Sequence, residues 1–483
     1  MKPHISKISE YKNDQAVVCI IGKNSIPDGL FTDAKEKGYA ERQITSGEDR
    51  VFINSYDRCI CIVKPKDDVR QYKVREEVRR AAYKLRKQIK AGSYPELVIT
   101  SFEAYDNAVV DFAEGLLLSI YSFDKYITRK NEGSCRYPEK ILLHSPVNDE
   151  SIKWLEEITD SVYFARDLIN EPVIHLNAVT FAEEIKKAGE SAGCKVEILN
   201  KGKIEALKMG GLLAVNRGSI DPPSFSILEW KPENHVNSSP VVLVGKGVVY
   251  DTGGLNIKTG DFMSGMKGDM AGGAIVTGVI RAVAKAGIPV HVIGLIPSTD
   301  NRPGGNAYAQ GDVITMHNKM TVEIGNTDAE GRLILADAIS YASRYKPGLI
   351  IDVATLTGSA AMTFSNQAIA MMSNADRKYT DLLTDCGNEV YERVAPLPFF
   401  EEYAECIKSD IADIKNVSNS REAGAITAGK FLEKFAEYPL IHLDIAGVEF
   451  LKKDEYYRLK NGTATGLRLL AEFLKRLAAP GPK

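Results

Sequence analysis

The sequence predicts an α/β fold in two domains, from its length, its composition and its alternating strand and helix patterns. With 483 residues, the chain is long for a single hydrophobic core. Its hydrophobic share of 44% and charged share of 26% are those of a globular protein. We predict a small N-terminal α/β domain over residues 1–149, a connecting helix over 150–171, and a larger C-terminal α/β domain over 172–483 with a mixed central sheet flanked by helices.

The N-terminal region combines strand and helix patterns. Apolar, β-rich runs predict strands at 15–22, 51–63 and 97–102. Between Val74 and Ile89 the apolar residues recur every three or four positions, which predicts a helix that stops at Gly92. A second apolar stripe predicts the connecting helix, which ends before Pro172 because proline cannot continue a helix.

The C-terminal region alternates between the two patterns. Predicted strands lie at 195–199, 225–230, 240–244, 289–296, 349–353 and 440–446. Predicted helices lie at 178–189, 268–286, 332–344, 423–435 and 466–477. Such alternation favours a mostly parallel or mixed sheet covered by helices. In these sheets functional sites gather at the loops that follow the strands.

Charge, hydropathy and cysteine usage exclude several classes of protein. The net charge of −3 gives no reason to expect a polyanionic partner. No apolar run approaches the roughly 18 residues that a membrane span requires. The first residues carry no apolar segment of the secretory type. Seven scattered cysteines without a CxxC pair form neither a disulfide framework nor a thiolate zinc site. We expect a cytoplasmic protein with no membrane association.

A glycine-rich stretch follows the strand predicted at 240–244 and first suggests a phosphate-binding loop. A P-loop that ended at Lys258 would need glycines at positions 252 and 257, where Thr252 and Ile257 stand. A dinucleotide fingerprint would need a third glycine where Tyr250 stands. Nucleotide binding is therefore disfavoured.

Carboxylates in the same region suggest a metal site instead. Four of them lie near loops or helix starts: Asp251, Asp269, Asp328 and Glu330. Asp328 and Glu330 are two residues apart, so an extended backbone would point both to one side. Converging carboxylates repel one another unless cations compensate them, and oxygen ligands suit Mg²⁺, Mn²⁺ or Zn²⁺. An isolated aspartate is more often a helix cap or a solvated loop acid. The nearby glycines and lysines favour the metal interpretation.

Three segments carry a family resemblance: GKGVVYDTGGLNIK at 245–258, MKGDMAGGA at 266–274 and NTDAEGRLILADA at 326–338. They resemble the leucyl aminopeptidase family, the two-metal cytosol aminopeptidases. Shorter segments agree: ATLTGSA at 354–360, AGAITAGKFL at 423–432 and HLDIAG at 442–447. The resemblance covers about residues 160–475 and implies that the C-terminal domain is catalytic. The first 145 residues or so carry no matching motif.

Position by position, the resemblance implies five metal ligands: Lys246, Asp251, Asp269, Asp328 and Glu330. Asp251 and Glu330 would bridge two divalent ions per subunit, which would be Zn²⁺, Mn²⁺ or Mg²⁺. Lys246 would coordinate as a neutral amine, because strong local positive charge depresses the pKa of a lysine. The alternative for Lys246 is a surface lysine, which its position between two glycines after an apolar strand disfavours.

The resemblance also implies two catalytic residues. Lys258 would stay cationic and polarise the scissile carbonyl. Arg332 would hold a bicarbonate ion that relays a proton. The alternative for Arg332 is an ordinary arginine in the first turn of a helix, where the helix dipole disfavours positive charge. The resemblance implies an aminopeptidase that releases N-terminal residues, with a leucine-type preference, by attack of a metal-bridging water.

Further positions match the family's substrate site: Met266, Asn326, Thr355, Leu356, Gly358 and Ala446. Met266 equally fits a place in the core, since methionine commonly fills gaps there. Glu449 departs from the family, which often has an apolar or small residue at this position. A Glu449 side chain in the pocket would favour basic or polar N-terminal residues, and the alternative is a solvent-facing loop acid.

Basic residues crowd the predicted helix of the N-terminal domain: Arg70, Lys73, Arg75, Arg79, Arg80, Lys84, Arg86, Lys87 and Lys90. Some members of the family bind DNA, and a basic helix suits a phosphate backbone. A solvated helix face or a subunit contact is the favoured interpretation, and we do not expect nucleic-acid binding. The resemblance further implies a homohexamer. The intact set of seven metal and catalytic residues disfavours a catalytically silent homologue.

Overall fold

The computed structural model describes residues 2–12, 14–55, 58–66, 68, 70–128, 136–418, 420 and 422–479. The chain divides into two compact units, Met1–Thr159 with Lys453–Lys460 and Asp160–Lys452 with Asn461–Lys483. Both units combine helices with mixed sheets, so the predicted fold class is confirmed. The domain bounds that the sequence suggested, at 149 and 172, stay predictions.

The first unit is built on a six-stranded sheet. Its elements are β1 His4–Lys7, β2 Ala16–Ile21, α1 Ala34–Thr45, β3 Arg50–Ser55, β4 Arg58–Val63, α2 Gln71–Gly92, β5 Glu96–Phe102, α3 Ala108–Ser119 and β6 Lys140–His144, and α4 Asp149–Asn170 follows. The strand order is β1-β6-β5-β2-β4-β3, with only β3 antiparallel to its neighbour. The central strand β2 is buried along its whole length, as expected for a parallel strand covered on both faces.

This unit differs from the sequence prediction in one strand and in four elements that were not predicted, β1, α1, α3 and β6. The run 51–63 is a hairpin of two strands rather than one strand. The helix α3 was not predicted, because it is buried on all sides and its sequence AVVDFAEGLLLS lacks an amphipathic stripe.

Six cysteines lie in the described part of the chain, all as free thiols, and Cys135 lies outside the described residues.

The basic helix α2 is not a simple solvated face. Arg79 is almost completely buried and donates hydrogen bonds to Glu114 (2.6 Å) and Asp111 (2.7 Å) of α3. Arg75 also binds Asp111, with its Nε 2.8 Å from the carboxylate. The interpretation of the basic residues of α2 as a solvated face is therefore wrong for Arg79, which holds α2 against α3 inside the unit.

Arg79→Met is expected to destabilise the protein by about 3 kcal/mol, because it leaves the buried Glu114 without this ion pair. The expected loss of stability lies at the lower end of the range for a broken buried ion pair, since Arg75 still compensates the charge of Asp111. The free energy of urea-induced unfolding measures the effect. Lys87→Ala, on an exposed position of the same helix, is the control and should change it by less than about 0.5 kcal/mol. Equal stability of the two variants would contradict the role of Arg79.

The second unit contains the remaining elements. Its helices are α5 Ala178–Ser191, α6 Lys201–Ala206, α7 Gly210–Asn216, α8 Ala271–Ala286, α9 Gly331–Ala342, α10 Gly358–Phe364, α11 Arg377–Val390, α12 Gly424–Glu433 and α13 Leu467–Leu477. Its strands are β7 Lys195–Leu199, β8 Ser224–Trp230, β9 Val241–Gly245, β10 Gly247–Asp251, β11 Val292–Asn301, β12 Val313–Thr315, β13 Thr321–Glu323, β14 Leu349–Ala354, β15 Ile369–Ser373, β16 Val394–Pro396, β17 Ile414–Lys415, β18 Leu440–Asp444, β19 Phe450–Leu451 and β20 Asn461–Gly462.

The main sheet of this unit is parallel at its centre and mixed at its edges. The order is β16-β15-β18-β14-β9-β11-β8-β7, and β10 pairs with β11. The strands β18, β14, β9 and β11 run parallel, whereas β15, β8 and β7 introduce antiparallel pairs. The carboxyl ends of the central strands therefore meet at one edge, where sites gather in open α/β sheets.

The strand predicted at 289–296 differs most from the observed one. The strand β11 begins at Val292 and continues to Asn301, five residues beyond the prediction. Its last four residues are polar but buried, and there β11 pairs with β10 at Ser298, Thr299 and Asn301, whereas its pairing with β8 ends at Ser298. Within the described residues, no helix is both long and apolar enough to cross a membrane.

Candidate metal and substrate site

A cavity of about 750 Å³ opens at the carboxyl edge of the main sheet. The loops that follow β9, β10, β14 and β18 supply much of its lining. The structure brings the following predicted residues to this cavity: Lys246, Asp251, Lys258, Met266, Asp269, Asn326, Asp328, Glu330, Thr355, Leu356, Gly358, Ala446 and Glu449. Arg332 lies in the first turn of α9 and is not part of the lining. The roles of these residues remain predictions.

Lys246 occupies the single position between β9 and β10, where the chain passes from one strand to the next. Its side chain is buried, and its Nζ lies 2.7 Å from Asp269 and 2.9 Å from Glu330. Glycine at position 331 makes room for it, because a Cβ there would lie 2.4 Å from Lys246 Cε. The lysine that sequence alone left open as a surface residue is thus inside the carboxylate cluster.

The second half of the cluster is centred on Asp251, at the end of β10. The Nζ of Lys258 lies 2.7 Å from Asp251 and 2.5 Å from Asp328. One oxygen of Asp251 accepts hydrogen bonds from the backbone N–H of Gly253 (2.8 Å) and from the amide of Asn301 (2.9 Å). Gly253 adopts φ +88°, which favours glycine and turns the chain back toward Lys258.

Asp328 and Glu330 converge, although not for the reason that the sequence suggested. The backbone at Asp328 forms a turn rather than a strand, and Glu330 has helical dihedral angles (φ −76°, ψ −37°) at the N-cap of α9. The expectation of an extended segment is therefore wrong. A ligand oxygen from each of Asp251, Asp328 and Glu330 nevertheless lies within 4.8 Å of the other two.

The electrostatics of the cluster indicate too little positive charge for its carboxylates. Burial raises the pKa of Asp269 to about 7, despite the opposing charge of Lys246. Burial and neighbouring carboxylates also raise the pKa of Asp251 and of Asp328. Burial acts against ionisation of Glu330 as well, but the two lysines lower its pKa overall.

Divalent cations fit this set of donors. Four carboxylates and two lysine ammonium groups leave two negative charges uncompensated when all are ionised. The Oδ2 atom of Asp269 is buried and has no hydrogen-bond partner within the described residues. Burial lowers the pKa of Lys246, but the charges of Asp269, Glu330 and Asp251 raise it more, so its amine holds a proton among these carboxylates. Coordination by Lys246 requires bound cations to displace that proton.

Arg332 is buried behind the cluster. Its Nη1 donates a hydrogen bond to the carbonyl of Asn416 (2.6 Å), and its Nε has no partner within the described part of the chain. Burial lowers the pKa of Arg332 to about 10, in part offset by the charges of Glu330 and Asp444. A buried guanidinium with a free N–H is able to hold a small anion, whereas an ordinary solvated helix arginine would be exposed.

Sequence reasoning missed several residues that support the cluster. Asn301 binds Asp251 and also donates to the carbonyl of Thr327 (3.0 Å). The hydroxyl of Tyr308 donates to the same carbonyl (2.7 Å). Thr355, predicted for the substrate, also donates its hydroxyl to Asp269 (2.7 Å). Asn301 was missed because the apolar run that predicts β11 ends at Ile296, whereas the strand itself continues through polar residues to Asn301.

Asn301→Ala is expected to weaken divalent-metal binding by roughly 10- to 100-fold, because it removes the amide that orients Asp251. Equilibrium dialysis against Mn²⁺ or Zn²⁺ measures the dissociation constant directly. Asn306→Ala, on an exposed position of the loop after the same strand, is the matched control. Equal affinities for the two variants would contradict the orienting role.

Comparisons with known proteins show which family the chain is similar to. The model of the cytosol aminopeptidase family, catalytic domain, matches residues 163–471. The chain is 44% identical to a probable cytosol aminopeptidase of Chlorobium limicola over 76% of this chain and 74% of the relative. It is 38% identical to one of Sulfurihydrogenibium sp. over 82% and 80%. Among solved structures, the bottromycin maturation enzyme BotP in complex with Mn is similar with a TM-score of 0.84 and 27% identity, over 97% of this chain and all of that one.

Proposed function

The chain belongs to the cytosol aminopeptidase family, and on this premise we propose that it is a two-metal enzyme that releases N-terminal residues, including leucine-type residues, from peptides. Membership confirms the family and the class of enzyme predicted from the sequence, a metallo-aminopeptidase that hydrolyses peptide bonds with divalent metal ions. The observation that carries the proposal is the convergence of four carboxylates and two lysines in one cavity.

The proposed metal ligands are Lys246, Asp251, Asp269, Asp328 and Glu330. Asp251 and Glu330 would be the residues shared by both ions, and together with Asp328 they present ligand oxygens within 4.8 Å of one another. When bound, two ions of Zn²⁺, Mn²⁺ or Mg²⁺ would supply a nucleophilic water of lowered pKa and a Lewis acid for the scissile carbonyl. The free α-amine of the substrate would also bind at this centre, which restricts the enzyme to N-terminal residues.

Lys258 is the proposed electrostatic catalyst. The carboxylates of Asp251 and Asp328 keep it protonated, since their charges raise its pKa although burial lowers it. Its ammonium group stabilises the negative charge that develops on the carbonyl oxygen. Arg332 would hold the bicarbonate that accepts and returns a proton, and its buried Nε, which has no partner among the described residues, supports this proposal.

The substrate would lie along the rest of the cavity. Backbone groups near Asp328, Thr355, Leu356 and Gly358 are proposed to align the peptide. Met266 is half-buried and lines the cavity, which favours a role in the pocket over the core alternative. Together with Ala446 it offers an apolar wall for a leucine-type side chain. Asn326 orients the turn, since its side chain accepts a hydrogen bond from the backbone N–H of Asp328 (2.8 Å).

Hydrolysis of an aminoacyl panel tests the proposal. The purified protein is assayed after metal removal and again with Mn²⁺, Zn²⁺, Mg²⁺ or Co²⁺, with chelator controls and with N-terminally acetylated substrates. We expect metal-dependent release of the first residue only, and no turnover of the acetylated substrates. Absence of hydrolysis with every metal would favour the catalytically silent alternative and refute the proposal.

Assembly and location stay predictions. A homohexamer is proposed from the family resemblance, and light scattering on the purified protein tests it. A cytoplasmic location is likewise proposed. Nucleic-acid binding is not expected, and Arg75 and Arg79 of α2 engage carboxylates within their own unit. Salt-sensitive retention on DNA at physiological ionic strength would contradict that expectation.

A further inference from the structure

Glu449 brings an additional carboxylate to the cavity, just beyond the end of β18. Its backbone is fixed on both sides: its N–H donates to the carbonyl of Ile445 (3.2 Å), and its carbonyl accepts from the N–H of Thr463 (2.9 Å). The residue is half-buried, and its Oε2 atom is buried without a hydrogen-bond partner within the described residues. The side chain is therefore a lining group of the cavity rather than a solvent-facing loop acid.

The described lining of the cavity offers this carboxylate no cation that is not already paired with other carboxylates. Among its described lining residues only Lys246 and Lys258 are basic, and each already pairs with two carboxylates of the metal cluster. Burial raises the pKa of Glu449 well above its usual range, and the charges of Asp269 and Asp444 act in the same direction, whereas the charge of Lys246 opposes them. A buried carboxyl oxygen without a partner is unfavourable unless a ligand supplies the missing donor.

The surroundings of Glu449 suggest which ligand supplies the missing hydrogen-bond donor. Glu449 follows β18, which pairs with β14, and Thr355 directly after β14 donates its hydroxyl to Asp269 (2.7 Å), so Glu449 lies at the same edge of the sheet as this part of the cluster. The half-buried side chains of Met266 and Ala446 line the same cavity. An aliphatic stem with a charged tip matches this combination, because lysine and arginine bury their methylene groups against apolar surface while their charged ends reach polar groups.

We propose that Glu449 is a specificity-determining residue that binds the cationic end of an N-terminal lysine or arginine side chain. The inference rests on the proposed aminopeptidase function and adds a substrate class to it. Apolar side chains of the leucine type still enter against the apolar wall, but only a cationic side chain compensates Glu449.

A comparison of lysyl and norleucyl substrates tests the proposal on the unmodified enzyme. Norleucine keeps the unbranched aliphatic stem and lacks the ammonium group, so the ratio of the two kcat/KM values isolates the contribution of the charge. We expect the lysyl substrate to be favoured by roughly 10- to 100-fold, which corresponds to one hydrogen bond between charged groups. A ratio of one or less would overturn the inference, even if both substrates are hydrolysed and the proposed function stands.

The variant Glu449→Gln tests whether Glu449 is the source of the lysyl preference. It preserves the size of the side chain and removes its charge, and we expect the lysyl preference to disappear while bound metal, measured by elemental analysis, stays constant. Glu402→Gln, the same change at an exposed position outside the cavity lining, should keep the preference. An unchanged preference in Glu449→Gln would overturn the inference, and so would loss of metal, since Glu449 would then be a metal ligand. Failure of the unmodified enzyme on every aminoacyl substrate would refute the proposed function itself.

Discussion

Asp251→Asn is expected to lose bound metal and peptidase activity together. Asp251 is buried at the centre of the second half of the cluster, where it pairs with Lys258 (2.7 Å) and presents a ligand oxygen within 4.8 Å of those of Asp328 and Glu330. An amide in its place would offer a neutral oxygen and no charge to attract a cation. Removal of a residue that only orients a metal ligand weakens affinity or activity by roughly 10- to 100-fold, so the loss of Asp251, which we propose as a shared ligand, should weaken both by more than about 100-fold.

The measurement combines metal content by elemental analysis with kcat/KM for a leucyl substrate at saturating Mn²⁺. Asp261→Asn is the matched control, because Asp261 is exposed in the same connection between β10 and α8 and does not line the cavity. The control should retain both metal and activity. Full activity of Asp251→Asn under metal-replete conditions would refute Asp251 as a ligand.

The position of the site was predictable because its chemistry is concentrated in short segments. Glycines around Lys246 and Asp251 allow the close approaches that the cluster requires, and a run such as NTDAEGR leaves few alternatives. The parallel centre of the sheet then places the ends of β9, β14 and β18 at one edge, which the alternation of elements had already indicated.

The contacts that the sequence did not predict join residues that are mostly far apart in the chain. The bond from Asn301 to Asp251 spans 50 residues and depends on the pairing of β10 with β11. The burial of Arg79 depends on α3, a helix without an amphipathic pattern. The turn that brings Asp328 to Glu330 shows a local limit, since a spacing of two fits both a strand and a helix start, and tertiary contacts decide between them.

Lys258→Met is expected to reduce kcat by roughly 100- to 1000-fold while the protein keeps its bound metal. Methionine keeps a long unbranched side chain and removes the ammonium group that faces Asp251, Asp328 and the cavity. If that group stabilises the developing oxyanion, turnover depends on it directly. Metal binding does not depend on it, because a cation that competes for the same carboxylates has been removed, and affinity should stay equal or increase.

Parallel measurements of metal affinity and kcat separate this role from a structural one. The carboxylate variant Asp251→Asn serves as the reference, in which both quantities fall together. Lys258→Arg adds a second comparison: it keeps the charge, so it should recover part of the lost kcat if the charge itself is what acts on the carbonyl oxygen. If Lys258→Met instead loses metal and turnover to the same extent, the lysine holds the carboxylates in place, and the catalytic assignment fails even though the metal site stands.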